Sequence, residues 1–175
     1  LLQYNYRINA YYSRMYQPGN FNRAFVRGTG FWLFRNFWDV SLTAGYFPTE
    51  NDYFVLGDPA TYRRFVKRPS YGYIESSGST DSRKRLYVRY SVLFSDFFES
   101  APNKAYHAVE GGLRYRFSNR FTLGLSHRHE GETDYIIYAG REINNEPIVA
   151  FVNFTDVTSI LSGIYNFTPR VNLTL

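Results

Sequence analysis

Residues Arg85-Leu-Tyr-Val-Arg-Tyr-Ser-Val-Leu-Phe-Ser95 decide the fold class of this chain. Taken in steps of two, one set of positions is apolar and the set between them is largely polar. The apolar set is Leu86, Val88, Tyr90, Val92 and Phe94, and the polar members of the intervening set are Arg85, Tyr87, Arg89, Ser91 and Ser95. A period of two residues predicts a β-strand with one apolar face.

The same alternation recurs along the chain, and no stretch with helical periodicity competes with it. It is found in residues 2–12, 38–46, 109–117 and 121–125. The strand in residues 70–80 alternates less cleanly, which a bulge or an extension beyond a membrane would each explain. The sequence predicts an all-β chain of about nine strands.

The connections between the predicted strands alternate between short and long. Short turns are predicted at residues 35–36, 81–84, 118–120 and 168–170, and long loops at 16–20, 48–69, 96–104 and 131–147. Within the last loop, residues 133–152 are also typical of strands, with a turn at Asn144-Asn145, so a hairpin is expected to project beyond a bilayer. Short turns at one end and long loops at the other are typical of an antiparallel up-and-down transmembrane β-barrel.

The composition supports a barrel over other classes. Aromatic residues make up 20% of the 175 residues, with 17 Tyr and 16 Phe, while charged residues also make up only 20%. No apolar run reaches the roughly 18 residues of a membrane-spanning helix, and Cys is absent. The net charge of +5 is scattered, so nucleic acid is not an expected partner. A soluble β-sandwich is the alternative, but its strands average only about 5 to 6 residues.

Aromatic side chains gather beside the predicted short turns. The segments Tyr115–Leu125 and Tyr165–Leu175 share one pattern: an aromatic pair, a turn and an alternating strand. Amphipathic rings are most stable at the level of lipid headgroups. The predicted aromatic girdle is Phe34, Phe37, Trp38, Tyr115, Phe117, Phe121, Tyr165 and Phe167.

The intervening phase of the strands predicts a polar lumen. Its expected charged residues are Arg7, Arg89, Glu110, Arg114 and Arg116, with Arg27 as a further candidate. Tyr87 and Tyr106 share this inward phase, and a solute or partner could bind there. A polar interior is expected of a large barrel whether it conducts or is plugged.

Few residues suggest chemistry. His127 and His129 lie two apart on the outward phase with Glu130 and Glu132 nearby, but a zinc site needs three or four convergent ligands. A lipase on a barrel needs an outward-facing Ser/His pair, and Ser126 and His127, being adjacent, point to opposite faces. Acids that could hydrolyse glycosides are expected in loops or at their bases, and no pair stands out: Glu50, Asp52, Asp58, Glu130, Glu132 and Asp134. We expect no catalytic, cofactor-binding or metal-binding residues.

The chain begins and ends within predicted strands. Leu2 is already in phase, and Leu175 follows a short turn by half a strand. Unpaired strand edges are not tolerated in hydrocarbon. Residues 1–175 are therefore expected to be part of a single, larger barrel domain.

Several motifs resemble one family over nearly the whole chain. They are Asn36-Phe37-Trp38, the loop from Asp58 to Pro69 with its Lys67-Arg68-Pro69, the turn Thr80-Asp-Ser-Arg-Lys84, and the strand end Tyr165-Asn-Phe-Thr-Pro169. Together they resemble Bacteroidota outer-membrane proteins in which a domain similar to family 9 carbohydrate-binding modules precedes a barrel domain of unknown function. The resembling N-terminal domain is not in this chain. The resemblance implies a bacterial outer-membrane location and a possible glycan ligand bound through that other domain.

Two functional classes are expected from these observations, with an enzyme third. The first is a structural or accessory subunit of a multiprotein outer-membrane complex for nutrient uptake or protein export. The alternative is a channel or transporter for glycans or other nutrients, and the third is an outer-membrane hydrolase. Expected partners are outer-membrane lipid and other outer-membrane proteins.

Overall fold

The computed structural model describes residues 1–16, 19–53, 55–56, 64–97, 105–144, 146–168 and 171–175. In these residues the chain runs back and forth as β-strands. Within these residues the strands are β1 (Gln3–Arg14), β2 (Phe21–Leu33), β3 (Asp39–Phe47), β4 (Glu50–Asp52), β5 (Val66–Arg68), β6 (Tyr71–Ser79), β7 (Leu86–Phe97), β8 (Ala105–Arg116), β9 (Phe121–Ile143), β10 (Glu146–Thr168) and β11 (Val171–Thr174). In the same residues, no helix is long and apolar enough to cross a membrane.

Nine of the strands form one antiparallel sheet in chain order. The order is β1-β2-β3-β6-β7-β8-β9-β10-β11, and β4 and β5 pair separately as a small hairpin. The prediction of an all-β, antiparallel, up-and-down sheet is confirmed. The sheet is open, with β1 and β11 at its two edges, so its closure into a transmembrane barrel stays a prediction.

The last hairpin corrects the prediction of a loop at residues 131–147 and confirms, for the described residues, the expectation of strands in residues 133–152. β9 and β10 each run for 23 residues and stay paired as far as Ile143 and Glu146. Two register shifts and the left-handed backbone of Asp134, whose φ is 54°, let this irregular sequence remain in a ladder. Asn144, with a φ of 53°, is in the predicted turn, while Asn145 lies outside the described residues. Residues 131–143 and 146–147 are therefore in strands, and the projection of this hairpin beyond a bilayer stays a prediction.

Other connections agree in part with the predicted boundaries. The predicted loop at 48–69 contains the β4–β5 hairpin, although its residues 54 and 57–63 lie outside the described part, Asp58 among them. The same is true of residues 17–18, 98–104 and 169–170 in three other predicted connections. β6 pairs without a register shift from Tyr71 to Ser79, so the bulge considered for this strand is absent from its described pairing.

The cross-strand register gives the sheet two different faces. Residues opposite one another on neighbouring strands share a face. One row, for example, runs through Leu42, Ser76, Val92, Val109 and His129. The apolar face defined by such rows carries large exposed side chains, including Ile8 at 82% and Leu161 at 72% exposure. The opposite, polar face carries most of the charged side chains of the sheet.

The described residues bury few large apolar side chains. They are Tyr53 and Leu56, near the β4–β5 hairpin, and Ile136, in the second half of β9. An apolar face that spans nine strands far exceeds the few hundred Å² that soluble monomers ordinarily expose. The apolar side chains of this sheet consequently need an apolar environment that the described residues do not supply.

Candidate functional site

The polar face carries a network of ion pairs across three strands, which we call the charge network. Glu110 on β8 lies between two guanidinium groups, with Oε1 2.9 Å from Arg89 Nη2 and Oε2 3.6 Å from Arg128 Nη1. Arg128 also pairs with Glu130 at 2.5 Å, and the Tyr106 hydroxyl donates to Glu130 Oε2 at 2.8 Å. The network fixes the side chains of β7, β8 and β9 against one another on one surface.

The other predicted inward residues also lie on this face. Arg114 packs over the Tyr87 ring, with 4.9 Å from its Cζ to the ring centroid, and donates from Nη2 to the Ser82 carbonyl at 2.6 Å. Arg116 is opposite Thr122, and Arg7 is opposite Thr29. The register thus places all five predicted charged residues on one face, but only Arg89 and Glu110 of the five join the charge network.

Arg128 and Glu130 are the members of the network that the sequence prediction missed. Glu130 was expected in a loop or at a loop base, whereas β9 continues through it. The signal was present in the sequence, because Thr122, Gly124, Ser126, Arg128 and Glu130 continue one alternating phase. Extending that phase past Ser126 would have placed both side chains on the face predicted for Glu110.

A second charged cluster lies in the β4–β5 hairpin. Arg68 Nη2 is 2.7 Å from Asp52 Oδ2, and Arg68 Nε is 3.7 Å from Glu50 Oε1, with all three side chains less than one fifth exposed. Burial raises the pKa of Glu50, while Arg68 opposes the shift and Asp52 adds to it. One arginine therefore holds two acids of the predicted loop in a partly desolvated position.

This hairpin covers a cleft on the polar face. The buried Tyr53 donates its hydroxyl to the Phe21 carbonyl at 3.3 Å, and Asn51 Nδ2 donates to the same carbonyl at 3.0 Å. The cleft has a volume of about 440 Å³. It is lined by Phe47, Glu50, Arg68, Tyr71, Tyr73, Leu93, Ser95, Tyr106 and Glu132. Tyr106 thus belongs both to the cleft and to the charge network.

Stacked rings cross the polar face beside the cleft. Tyr11 stacks on Phe25 with 5.2 Å between centroids, Phe25 lies 5.1 Å from Phe47, and Phe47 stacks on Tyr71 at 4.5 Å. Arg23 lies over Tyr11 and Arg27 over Phe25. Because the rings cover one another's faces, this row ties β1, β2, β3 and β6 together.

The rings predicted to form a girdle lie at the short-turn end of the sheet. Five of them make a continuous series, with successive centroid distances of 4.7, 5.3, 6.4 and 4.8 Å. The series is Tyr115, Phe117, Phe121, Tyr165 and Phe167. Phe34, Phe37 and Trp38 lie at the β2–β3 turn, each more than 40% exposed. Phe37 has a φ of 61°, and Arg83 covers its ring at 3.6 Å.

The turn between β6 and β7 is held by Asp81. Its side chain is 5% exposed, accepts the Arg83 backbone N–H at 3.0 Å, and receives the Arg83 guanidinium at 2.8 and 2.9 Å. The side-chain hydrogen bonds from Arg83 are the main cause that lowers the pKa of Asp81 to about 2. Within the Thr80–Lys84 motif, Asp81 and Arg83 therefore stabilise the turn through hydrogen bonds to each other.

Acid should weaken the interaction between Asp81 and Arg83. The lowered pKa of Asp81 in the folded state contributes stability that is complete above its ordinary value of about 4 and is lost as the pH falls through about 2. We expect the unfolding temperature of the wild type to exceed that of Asp81→Asn at pH 6, and the gap to shrink between pH 4 and pH 2. Thermal unfolding by circular dichroism measures the gap, and Ser82→Ala is the control. A gap that does not change with pH would contradict the assignment.

The histidines do not converge on a metal site. The rings of His107 and His129 stack at 5.4 Å between centroids, while His127 Nδ1 is 2.8 Å from Ser159 Oγ. All four residues lie on the apolar face, and Ser126 is on the other. In the described part of the chain, no group of three His, Asp or Glu side chains could hold a metal ion.

The architecture and its two faces define an all-β protein with one extended antiparallel sheet. Residues 1–175 match the family model of a domain of unknown function, DUF5916, and the chain belongs to that family. No curated protein and no solved structure matches the chain.

Proposed function

We propose that this chain forms part of the wall of a β-barrel in the bacterial outer membrane. The observation that carries the proposal is the apolar face, which continues across all nine strands while charges collect on the opposite face. Alternation of lipid-facing and lumen-facing side chains is the signature of such barrels. The ring series at the short-turn end has the position of an interfacial girdle.

The two open edges also bear on this proposal. In hydrocarbon the free backbone groups of β1 and β11 would need partners, because the bilayer offers no hydrogen bonds. In a meander of nine strands the first and last run in the same direction, so they could not close on each other as an antiparallel pair. Further strands from the rest of a longer protein would complete the wall.

For its role, we favour a structural or accessory subunit of a multiprotein outer-membrane complex. The β4–β5 hairpin lies over the polar face, and ion pairs cross that face between β7, β8 and β9. In a closed barrel both features would occupy part of the lumen, which favours this role over an open pore. The partners would be outer-membrane lipid and other outer-membrane proteins, as in nutrient-uptake or protein-export assemblies.

A channel or transporter for glycans or other nutrients is the second candidate. The cleft beneath the hairpin favours it, since rings, carboxylates and Arg68 meet there at a scale suited to a small solute. A Bacteroidota source and an associated carbohydrate-binding domain would suit this role, and both rest on the resemblance alone.

Two measurements on the full-length protein test these roles. Migration on gels before and after boiling tests the barrel, and we expect a heat-dependent shift because membrane barrels resist detergent until heated. Conductance in planar bilayers separates the subunit from the channel, and we expect no ion current through a filled barrel. Steady ion conductance by the isolated protein would favour the channel, while the absence of any heat-dependent shift would overturn the barrel itself.

A further inference from the structure

A serine and a histidine are hydrogen-bonded on the apolar face, where nearly every neighbour is hydrophobic. Ser159 on β10 is the direct cross-strand partner of His127 on β9, and Ser159 Oγ lies 2.8 Å from His127 Nδ1. The next cross-strand pair toward the short turns is Leu125 with Leu161, which are 50% and 72% exposed. A polar, ionisable pair on a surface of this kind is expensive to place beside lipid, and such residues are commonly functional.

The surroundings of the pair are open on one side. On β8 the residue opposite His127 is Gly111, and a Cβ at that position would meet no heavy atom within 4 Å. Polar side chains continue from the pair toward the long-loop end, where His129 lies on β9 and His107 stacks on it from β8. A strip with hydrogen-bonding groups therefore leads from the pair toward one boundary of the apolar face.

We propose that Ser159 and His127 form a nucleophile and base that act on acyl esters of membrane lipids. The inference rests on the proposed function, since only a membrane-facing surface would present this pair to lipid. A serine hydroxyl within hydrogen-bonding distance of an imidazole is the arrangement that nucleophilic acyl transfer requires. Ser126 cannot be the nucleophile, because it is adjacent to His127 and points to the opposite face. Ser159 is the cross-strand partner of His127 and points to the same face.

The reaction balances with water as the only co-reactant. Ser159 Oγ forms a bond to the ester carbonyl carbon as its proton passes to His127 Nδ1, and the carbonyl oxygen becomes an oxyanion. The oxyanion collapses, the bond to the glycerol oxygen breaks, and the leaving alkoxide takes the proton from His127. Water, deprotonated by the same nitrogen, then cleaves the acyl-serine to a fatty acid and a restored hydroxyl.

The pair is a dyad in the described part of the chain. The hydrogen bond to Ser159 engages Nδ1 of His127, and no described side chain is seen to orient the other ring nitrogen. Slow turnover is expected of such a pair, because an orienting residue ordinarily holds the base in the correct tautomer. Covalent capture of the serine is therefore a more sensitive test than steady-state hydrolysis.

The test uses the full-length protein folded in phosphatidylethanolamine and phosphatidylglycerol vesicles and treated with a long-chain alkyl fluorophosphonate. We expect peptide mass spectrometry to find the adduct on Ser159 of the wild type, the labelling of the protein to be lost in Ser159→Ala, and the Ser159 adduct to fall at least tenfold in His127→Gln. The matched control is Ser126→Ala, next to His127 on the other face, and its labelling should equal that of the wild type. Release of fatty acid from the vesicles should follow the same order.

Two outcomes separate this inference from the function on which it rests. If the protein shows the heat-dependent gel shift but Ser159 is labelled no more than the other serines, or equally in His127→Gln, the dyad is overturned and the barrel stands. If the gel shift is absent, the apolar face does not meet lipid, and both proposals fall.

Discussion

Replacing Val92 with arginine should destabilise the protein folded in a bilayer. Val92 is in the middle of β7, is 40% exposed, and faces Ser76 and Val109 on the apolar face. An arginine at the midplane of a membrane barrel costs about 2–4 kcal/mol. We expect a fall of that size in the free energy of folding into vesicles, measured by urea titration of the heat-dependent gel shift.

The neighbouring residue provides the matched control. Ser91 points to the polar face and is opposite Glu110, so arginine at that position can join the charge network. We expect Ser91→Arg to change the folding free energy by less than about 1 kcal/mol, the ordinary range for exposed ion pairs. On a soluble sheet, Val92→Arg would itself be nearly neutral, because the side chain is part exposed. A neutral result would therefore reject the membrane-facing assignment.

Replacing Gly78 with valine should strongly destabilise the sheet. A Cβ at Gly78 would lie 2.5 Å from the backbone oxygen of Asp39 and 2.9 Å from Cε1 of the Tyr90 ring. The ring could rotate away, but the backbone oxygen belongs to the β3–β6 ladder. Overpacking of this kind costs roughly 1–3 kcal/mol, occasionally more, and we expect the upper end.

The control for Gly78 lies in the same cross-strand row. Gly78 is opposite Tyr90, and Tyr90 is opposite Gly111, where a Cβ would meet nothing within 4 Å. Gly111→Val should therefore be neutral or slightly stabilising, because a β-branched residue suits a strand better than glycine. Both variants are compared by denaturant unfolding in the same vesicles. Equal losses at the two positions would mean that backbone freedom matters at both, rather than the clash at Gly78.

Much of the fold was predictable because an antiparallel sheet needs only a period of two and turns between strands. Residues 85–95 contain that period, and β7 is found there. The loop prediction for residues 131–147 was wrong, because the strands continue although the alternation is broken at Asp134 and Gly140, both with positive φ. The accompanying prediction of strands in residues 133–152 is confirmed for the described residues. A strand with such breaks is stabilised by its partner along the whole ladder, and no local pattern records that partner.

For the charged residues of the candidate site, the sequence predicted the face of the sheet but not the neighbours on the next strand. Alternation places Arg89, Glu110 and Arg114 on one face, as the register shows. It does not give the neighbour on the next strand, which decides that Glu110 lies between Arg89 and Arg128. The covering hairpin was also beyond local pattern, because burial of Tyr53 against β2 holds it there.

The sequence by itself determined the all-β class, the order of most strands and the face of the side chains in the regularly alternating strands, because these follow from local periodicity and turn chemistry. Only the tertiary structure decided the register between strands, since that depends on pairing along whole ladders. His127 and Ser159 are 32 residues apart in the chain. Their hydrogen bond exists only because β9 and β10 align one residue against the other.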